Sequence, residues 1–354
     1  MFTEIEDILK LDVKSMTQDE LLIWVKYKGQ PAYRAKQIFE WLHKKLADDA
    51  DKMTNIPKSL ISDIKEQRMY GVSEVTRLVS KHDGTNKFLF KLHDGNVIES
   101  VLMKYKHGYS VCISSQAGCR MGCKFCASTI GGLVRNLSAS EMLDQIYAVE
   151  RITGFHVSNI VVMGTGEPLD NYDNLIRFIK IINDKDGRNI SQRNITVSSC
   201  GLVPEIKKLA DEGLAITFAL SLHQATDDER KKIMPIAYKY SLDEVIDACK
   251  YYFEKTGRRV TFEYSLIKDE NDTEEHVYRL IRLIKGMNCH VNLIPVNPVK
   301  EREYRRSEEL SVEKFKYILE KNQINVTIRR SMGRDIDAAC GQLRRKYEES
   351  KESI

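Results

Sequence analysis

Between about residue 15 and residue 68, apolar positions recur at spacings of three and four, in stretches such as L-L-I-W-V-K-Y and Y-R-A-K-Q-I-F-E-W-L-H-K-K-L. This period predicts amphipathic helices. In the second stretch Ile38, Phe39, Trp41 and Leu42 are expected to face inward, with Arg34, Lys36, Lys44 and Lys45 outside. Pro31 and Pro57 punctuate the segment, which reads as a small helical module. The period then falls to two. S-E-V-T-R-L-V-S, T-N-K-F-L-F-K-L and N-V-I-E-S-V-L-M-K are separated by His82-Asp83-Gly84 and His93-Asp94-Gly95. Asp-Gly between alternating runs is a strong hairpin signal.

Next, Y-S-V-C-I-S-S predicts a strand that leads into a loop rich in cysteine, after which strands and helices take turns. The strands are N-I-V-V-M-G, N-I-T-V-S-S, A-I-T-F-A-L-S-L, V-T-F-E-Y-S-L-I, H-V-N-L-I-P-V and N-V-T-I-R-R. Helical patterns such as A-S-E-M-L-D-Q-I-Y-A-V-E-R-I and L-D-E-V-I-D-A-C-K-Y-Y-F lie between them. Short β-branched strands alternating with amphipathic helices mean parallel βα units. The expected class is therefore α/β: a partial (β/α)6-type TIM barrel, with a small N-terminal helical domain and a short β-rich linker. Residues 1–70 would form the helical domain, 71–104 the hairpin linker, 105–346 the barrel core with a C-terminal cysteine segment, and 347–354 a tail. Barrel chemistry sits at the C-terminal ends of the strands. The unusual residues fall there: Cys119, then Gly164-Thr165-Gly166-Glu167, Ser198, Ser221-Leu222-His223 and Asn297.

The 354 residues are 42% hydrophobic and 30% charged, as suits a folded globular chain and not a disordered one. No apolar run is long enough to span a bilayer. The acidic, polar start MFTEIEDILKLDVKSMTQDE is neither a secretory signal nor a transit peptide, so a cytoplasmic protein is expected. Net charge is only +4. Its distribution says more, because Lys300, Arg302, Arg305 and Arg306, then Arg329, Arg330 and Arg334, then Arg344, Arg345 and Lys346 form three basic clusters. Single charge runs are usually solvated faces, whereas three beside the C-terminal motifs point to phosphate contact. In a reducing compartment the eight cysteines favour metal ligation or thiol chemistry over disulfides. Cys249 and Cys289, in apolar helical or helix-end contexts, are expected to be inert core residues.

Residues 118–126 read G-C-R-M-G-C-K-F-C, and Cys119, Cys123 and Cys126 have no fourth cysteine at a matching distance. A zinc site completed from afar, or unrelated cysteines, would be the plain alternatives. A four-iron, four-sulfur cluster with one open iron fits the three thiolates better. This spacing, between a strand and a βα barrel, resembles the radical S-adenosylmethionine (SAM) superfamily. The resemblance implies that the open iron binds SAM and that one electron from the cluster splits it to methionine and a 5′-deoxyadenosyl radical. It also implies that Phe125 covers the cluster and that Gly166 and Glu167 meet the SAM amino group. Ser198, Ser221, Leu222, His223 and Asn297 would complete the cofactor site.

Two further strings, V-C-I-S-S-Q-A-G-C with Cys112 and R-D-I-D-A-A-C-G-Q-L with Cys340, narrow the family. With Y-R-A-K-Q-I-F-E-W, I-E-S-V, R-N-L, S-L-H and I-P-V-N-P in the same order, they make the chain closely similar to the RlmN-type dual-specificity RNA adenine methyltransferases over nearly its full length. Carbon 2 of adenine lies between two ring nitrogens and cannot attack the methyl group of SAM. The resemblance implies a thiol relay. Cys340 takes a methyl from a first SAM, a thiolate being a good nucleophile. The radical from a second SAM activates that S-methyl group, the carbon joins the adenine, and Cys112 resolves the link through a transient disulfide with Cys340. Glu99 of I-E-S-V would be the proton acceptor, although a lone strand glutamate usually faces solvent. Implied substrates are an adenine of 23S ribosomal RNA near the peptidyl-transferase centre and the transfer-RNA adenine just 3′ of the anticodon, gripped partly by the helical domain. A flavodoxin or ferredoxin is the expected electron donor, and a monomer the expected state, with no membrane partner. Thr165 stands where the family usually has Met in Gly-Met-Gly-Glu, and Ser198-Ser199-Cys200-Gly201 replaces its usual Ser-Thr-Ser-Gly, so that Cys200 puts an extra thiol near the cofactor. Ala117 and Pro168 favour carbon 2 over the related carbon-8 enzymes of antibiotic resistance. A zinc-stabilised RNA-binding protein is the alternative from another class, but it leaves Cys112 and Cys340 unexplained.

Overall fold

Four helices open the chain in a computed structural model, which describes residues 2–296, 304–330, 332–336, 343, 344 and 347. Asn297 and Cys340, with Lys300, Arg302, Arg345 and Lys346, lie outside the described residues. The helices are α1 (Phe2–Leu9), α2 (Gln18–Tyr27), α3 (Tyr33–His43) and α4 (Lys58–Gln67). Thr17 starts α2 with a reciprocal cap: its hydroxyl accepts the Glu20 N–H at 3.4 Å, and the Glu20 carboxylate accepts the Thr17 N–H at 2.8 Å. Ile38, Phe39 and Leu42 of α3 are fully buried, as their spacing predicts. Trp41 differs, being only partly buried, with the Lys45 ammonium 3.6 Å above its ring. His43 takes the inner place instead, 3.0 Å from the Tyr147 hydroxyl.

An ion cluster joins these helices to the rest of the chain. The Lys14 ammonium lies 3.0 Å from Asp144 of α5 (Ala139–Thr153), and both side chains are buried. Arg151 and the backbone N–H of Val72 also donate to Asp144. Nothing in the local pattern foretells this pair, because Lys14 reads as an ordinary charged position.

The strands are β1 (Ser73–Val79), β2 (Asn86–Lys91), β3 (Val97–Tyr105), β4 (Gly108–Ile113), β5 (Gln116–Gly118), β6 (Leu133–Asn136), β7 (Val157–Val162), β8 (Ile195–Ser199), β9 (Thr217–Ser221), β10 (Val260–Leu266), β11 (Cys289–Pro295) and β12 (Asn325–Ile328). Ten of them form one sheet in the order β1-β2-β3-β4-β7-β8-β9-β10-β11-β12. From β4 onward its neighbours are parallel, and β1 to β3 continue it as an antiparallel meander, β3 pairing directly with β4. The α/β architecture thus follows the alternation read in the sequence. α6 (Tyr172–Asn183), α7 (Val203–Asp211), α8 (Asp227–Ile233), α9 (Leu242–Thr256), α10 (Glu274–Ile284) and α11 (Glu309–Lys321) complete the crossovers. Among the described residues no helix is long and apolar enough to cross a membrane.

Each parallel strand has two unlike faces. On β10, Val260, Phe262, Tyr264 and Leu266 join the core, while Thr261, Glu263 and Ser265 border cavities. On β4, Val111 and Ile113 join the core, while Ser110 and Cys112 lie on the other face. The sheet therefore buries its apolar side against helices and keeps a polar side for the interior of the partial barrel. Cys249 in α9 is fully buried, as expected. Cys289 is buried too, but it opens β11 instead of ending a helix.

Candidate active site

The cysteine loop is pinched at its neck by β5 and β6, which pair antiparallel. The Cys119 N–H donates to the Gly132 carbonyl at 2.9 Å. Gly118 has φ +82°, and a Cβ there would lie 2.0 Å from that same carbonyl oxygen, so only glycine fits. Inside the loop the Thr129 hydroxyl donates to the carbonyls of Cys123 (3.1 Å) and Cys126 (2.9 Å). The Lys124 N–H donates to the Ile233 carbonyl at 2.9 Å, which ties the loop to α8. Cys119 and Cys123 are buried and Cys126 partly so. Burial pushes the Cys119 thiol up to about 12 and raises that of Cys123 as well, so these thiols need a strong positive centre to become thiolates. All three border one cavity of about 270 Å³. Among the described residues no three His, Cys, Asp or Glu side chains close on a single ion. A four-iron group, whose ligands sit on separate irons, suits thiols spread around a cavity.

The facing wall comes from the segments after β7, β8 and β9. A Cβ on Gly164 would lie 2.7 Å from the Ile113 carbonyl, and Gly166, at φ +109°, has the Gln116 backbone nitrogen 2.8 Å from where its Cβ would be. Glu167 is buried. Its carboxylate accepts the N–H groups of Leu169 (3.1 Å) and Cys200 (2.8 Å), with no side-chain cation on it among the described residues. Burial raises its carboxyl above the ordinary range despite those bonds. The hydroxyls of Ser198 and Ser221 are 3.3 Å apart. His223 has φ +60°, and its Nδ1 accepts the Ser265 N–H at 3.0 Å. Burial lowers the ring to about 3, so it is neutral, and the Nδ1 contact leaves the proton on Nε2. Phe125 meets this ring edge-on, with centroids 4.8 Å apart.

Gly166, Glu167, Ser198, Ser221 and His223 thus share a cavity with the three cysteines. Leu222 does not border it; its side chain is fully buried in the core, and only its backbone is near, donating to the Glu263 carbonyl at 3.0 Å. Glu263 and Ser265 do border the cavity, although no motif marks them. Their signal was present as the alternation T-F-E-Y-S-L, polar against apolar, within a strand. Arg230 also went unnoticed. Its guanidinium is fully buried and donates to the carbonyls of Cys200 (2.6 Å) and Leu222 (3.3 Å).

A second locus lies on the same inner face. Cys112 is buried among Val101, Met103, Met163 and Met332. Glu99 is buried as well and does not face solvent, because Lys87, itself fully buried, lies 3.1 Å from it. The Arg344 N–H donates to the other Glu99 oxygen at 2.6 Å. Gly333 and Asp335 bond to the turn at Ser80–Asp83. The described residues on either side of Cys340 therefore dock beside Glu99 and Cys112.

The model of the radical SAM superfamily matches residues 113–281, and that of the ribosomal RNA large subunit methyltransferase N-terminal domain matches residues 11–69. A probable dual-specificity RNA methyltransferase RlmN of Lachnoclostridium phytofermentans is 60% identical, covering 96% of this chain and 95% of the relative. One of Clostridium botulinum is 53% identical over 97% and 99%. A radical SAM methyltransferase from Sphaerobacter thermophilus superposes with a TM-score of 0.89 at 42% identity, covering 93% of this chain and 98% of that one.

Proposed function

The chain belongs to the family of RlmN dual-specificity RNA methyltransferases, and from that premise we propose that it methylates carbon 2 of adenine in RNA. The substrates are an adenine of 23S ribosomal RNA near the peptidyl-transferase centre and the adenine 3′ of the transfer-RNA anticodon. The strongest support within the molecule is that cysteines and polar residues chosen by motif alone border one cavity.

The superfamily uses a four-iron, four-sulfur cluster and SAM. Cys119, Cys123 and Cys126 would hold the cluster, which when bound supplies the single electron that splits SAM. The Glu167 carboxylate accepts from the SAM ammonium, and with no side-chain cation bonded to it among the described residues it is suited to that contact. Ser198 and Ser221 serve the ribose, and the His223 Nε2–H donates to an acceptor of the cosubstrate. Asn297 has the same expected role. Cys340 carries the methyl carbon to adenine, Cys112 forms the disulfide that frees the product, and Glu99 takes the proton. Residues 1–70 and the exposed Arg305 and Arg306 hold RNA, which must present an unstacked base. A flavodoxin or ferredoxin supplies electrons, and the protein works as a monomer.

The deciding experiment maps methylated adenines by mass spectrometry in cells lacking this protein and then regaining it. 2-Methyladenine in both RNAs is expected; 8-methyladenine would move the chain to the antibiotic-resistance branch, and no methylation would overturn the proposal. Cys112→Ala should trap a covalent protein–RNA adduct, whereas Cys340→Ala should form none.

A further inference from the structure

Arg230 sits on α8 with no solvent exposure, a position rare for an arginine without a paired anion. Its hydrogen bonds go only to main-chain carbonyls: Nη2 donates to Cys200 at 2.6 Å and weakly to Ser221 at 3.5 Å, and Nε donates to Leu222 at 3.3 Å. Nη1 is buried and has no hydrogen-bond partner among the described residues. Among the described residues no carboxylate comes within 4.0 Å of the guanidinium. Asp227, one turn away on α8, turns its carboxylate to the Leu242 N–H at 2.8 Å. A buried charge without a counter-ion is costly, and folds keep one where something absent from the bare chain compensates it.

The surroundings identify the missing anion. Ile233 and Met234 follow on the same segment and pack against Cys123 and Cys200. The Ile233 carbonyl accepts the Lys124 N–H inside the cysteine loop. Gly201 is held at φ +106°, and a Cβ there would come 3.2 Å from Nη2, so the turn after β8 is shaped around this guanidinium. Carbonyl bonds alone would not require a cation, since a neutral donor serves them equally.

Resting on the cluster reading above, we propose that Arg230 is the buried counter-charge of the anionic iron–sulfur group held by Cys119, Cys123 and Cys126, and that it tunes how readily that group accepts its electron. Three thiolates on the four-iron core leave a net negative charge, and each added electron makes it larger. A fixed cation behind the loop stabilises the reduced state more than the oxidised one. Arg230 is a positioning and tuning residue; it need not touch SAM or RNA.

The test uses the anaerobically reconstituted wild type with Arg230→Gln and Arg230→Lys. The midpoint potential is read by electron paramagnetic resonance during titration with dithionite, which donates one electron per cluster. Arg230→Gln should lower the potential by about 60 mV, a tenfold loss in the one-electron equilibrium, while Arg230→Lys should stay near wild type. Thermal melting gives the second readout. Without iron and sulfide, Arg230→Gln should match or exceed the wild type, because an unpaired buried cation is gone. With the cluster loaded, the variant should gain less stability than wild type does. An unchanged potential would overturn the proposal, as would equal destabilisation of both forms, the mark of a purely structural arginine. If Arg230→Gln takes up no cluster, unchanged melting of its cluster-free form supports the counter-charge and lower melting refutes it. A wild type that binds neither iron nor labile sulfide would instead sink the cluster reading itself.

Discussion

Asp144 and Glu167 are both buried carboxylates, yet the molecule treats them in opposite ways. Asp144 lies in the joint between the N-terminal helices and the barrel. Burial alone would raise its carboxyl, but Lys14 and Arg151 outweigh burial and hold it below the ordinary range. Glu167 lies on the rim, where burial raises it although the N–H groups of Leu169 and Cys200 and the side chains of Ser199 and Cys200, all neutral donors, bond to it. A carboxylate with its cations already in place is part of the architecture. One held by neutral donors in a cavity keeps its charge for a visitor, and in the proposed function that visitor is the SAM ammonium.

Breaking the joint should give the largest effect. Asp144→Asn leaves Lys14 buried without its anion and should cost about 3–5 kcal/mol in urea denaturation. Adding Lys14→Met to that variant should recover much of the loss; no recovery would mean that the joint depends on something other than the ion pair. Lys87→Met probes an intermediate case, a buried pair that includes a proposed reacting group. It should cost about 3 kcal/mol and reduce methylation strongly, and stability unchanged by Lys87→Met would show that the Lys87–Glu99 contact is energetically idle. Glu167→Gln should barely disturb folding but weaken SAM binding by about 1.5–3 kcal/mol, measured by equilibrium dialysis on the loaded protein.

The smallest effect is in pH. For Asp144 the stabilisation is present above 3.8, its unfolded value, and is lost as pH falls through the lower folded value. Glu167 behaves inversely: without SAM, the protein loses stability as pH rises through a folded value lying above 4.5. SAM affinity should climb across that same window, because the ionised carboxylate binds, and the climb should vanish in Glu167→Gln. A SAM affinity that ignores pH in the wild type would dissolve the contrast.

Chemistry that depends on spacing along the chain was legible beforehand; chemistry that depends on packing was not. Cys119, Cys123, Cys126 and the Gly164–Glu167 turn announce themselves by local pattern, since each sits in a short loop at a strand end. The alternation of strands with helices likewise forecast the parallel sheet. Glu99 could not be judged from sequence, because its burial depends on Lys87 across a strand pair, and Lys87 looks like any strand lysine. Arg230, inside D-D-E-R-K-K-I, is hidden by charged neighbours whose side chains point elsewhere. Trp41, expected inside, lies only partly buried, while His43, on which the stripe is silent, is buried against the Tyr147 hydroxyl, because a helix stripe only fixes which positions can be inward.

The pairing of β5 with β6 carries a consequence for the order of biogenesis. Main-chain contacts, the Gly118–Gly132 approach among them, set the outline of the loop without using any sulfur. Iron and sulfide would then enter a receptacle shaped in advance, unlike a zinc finger that folds only around its metal. Air damage to the inorganic core should leave a refillable polypeptide, and repeated cycles of bleaching and anaerobic repair should return the same brown protein.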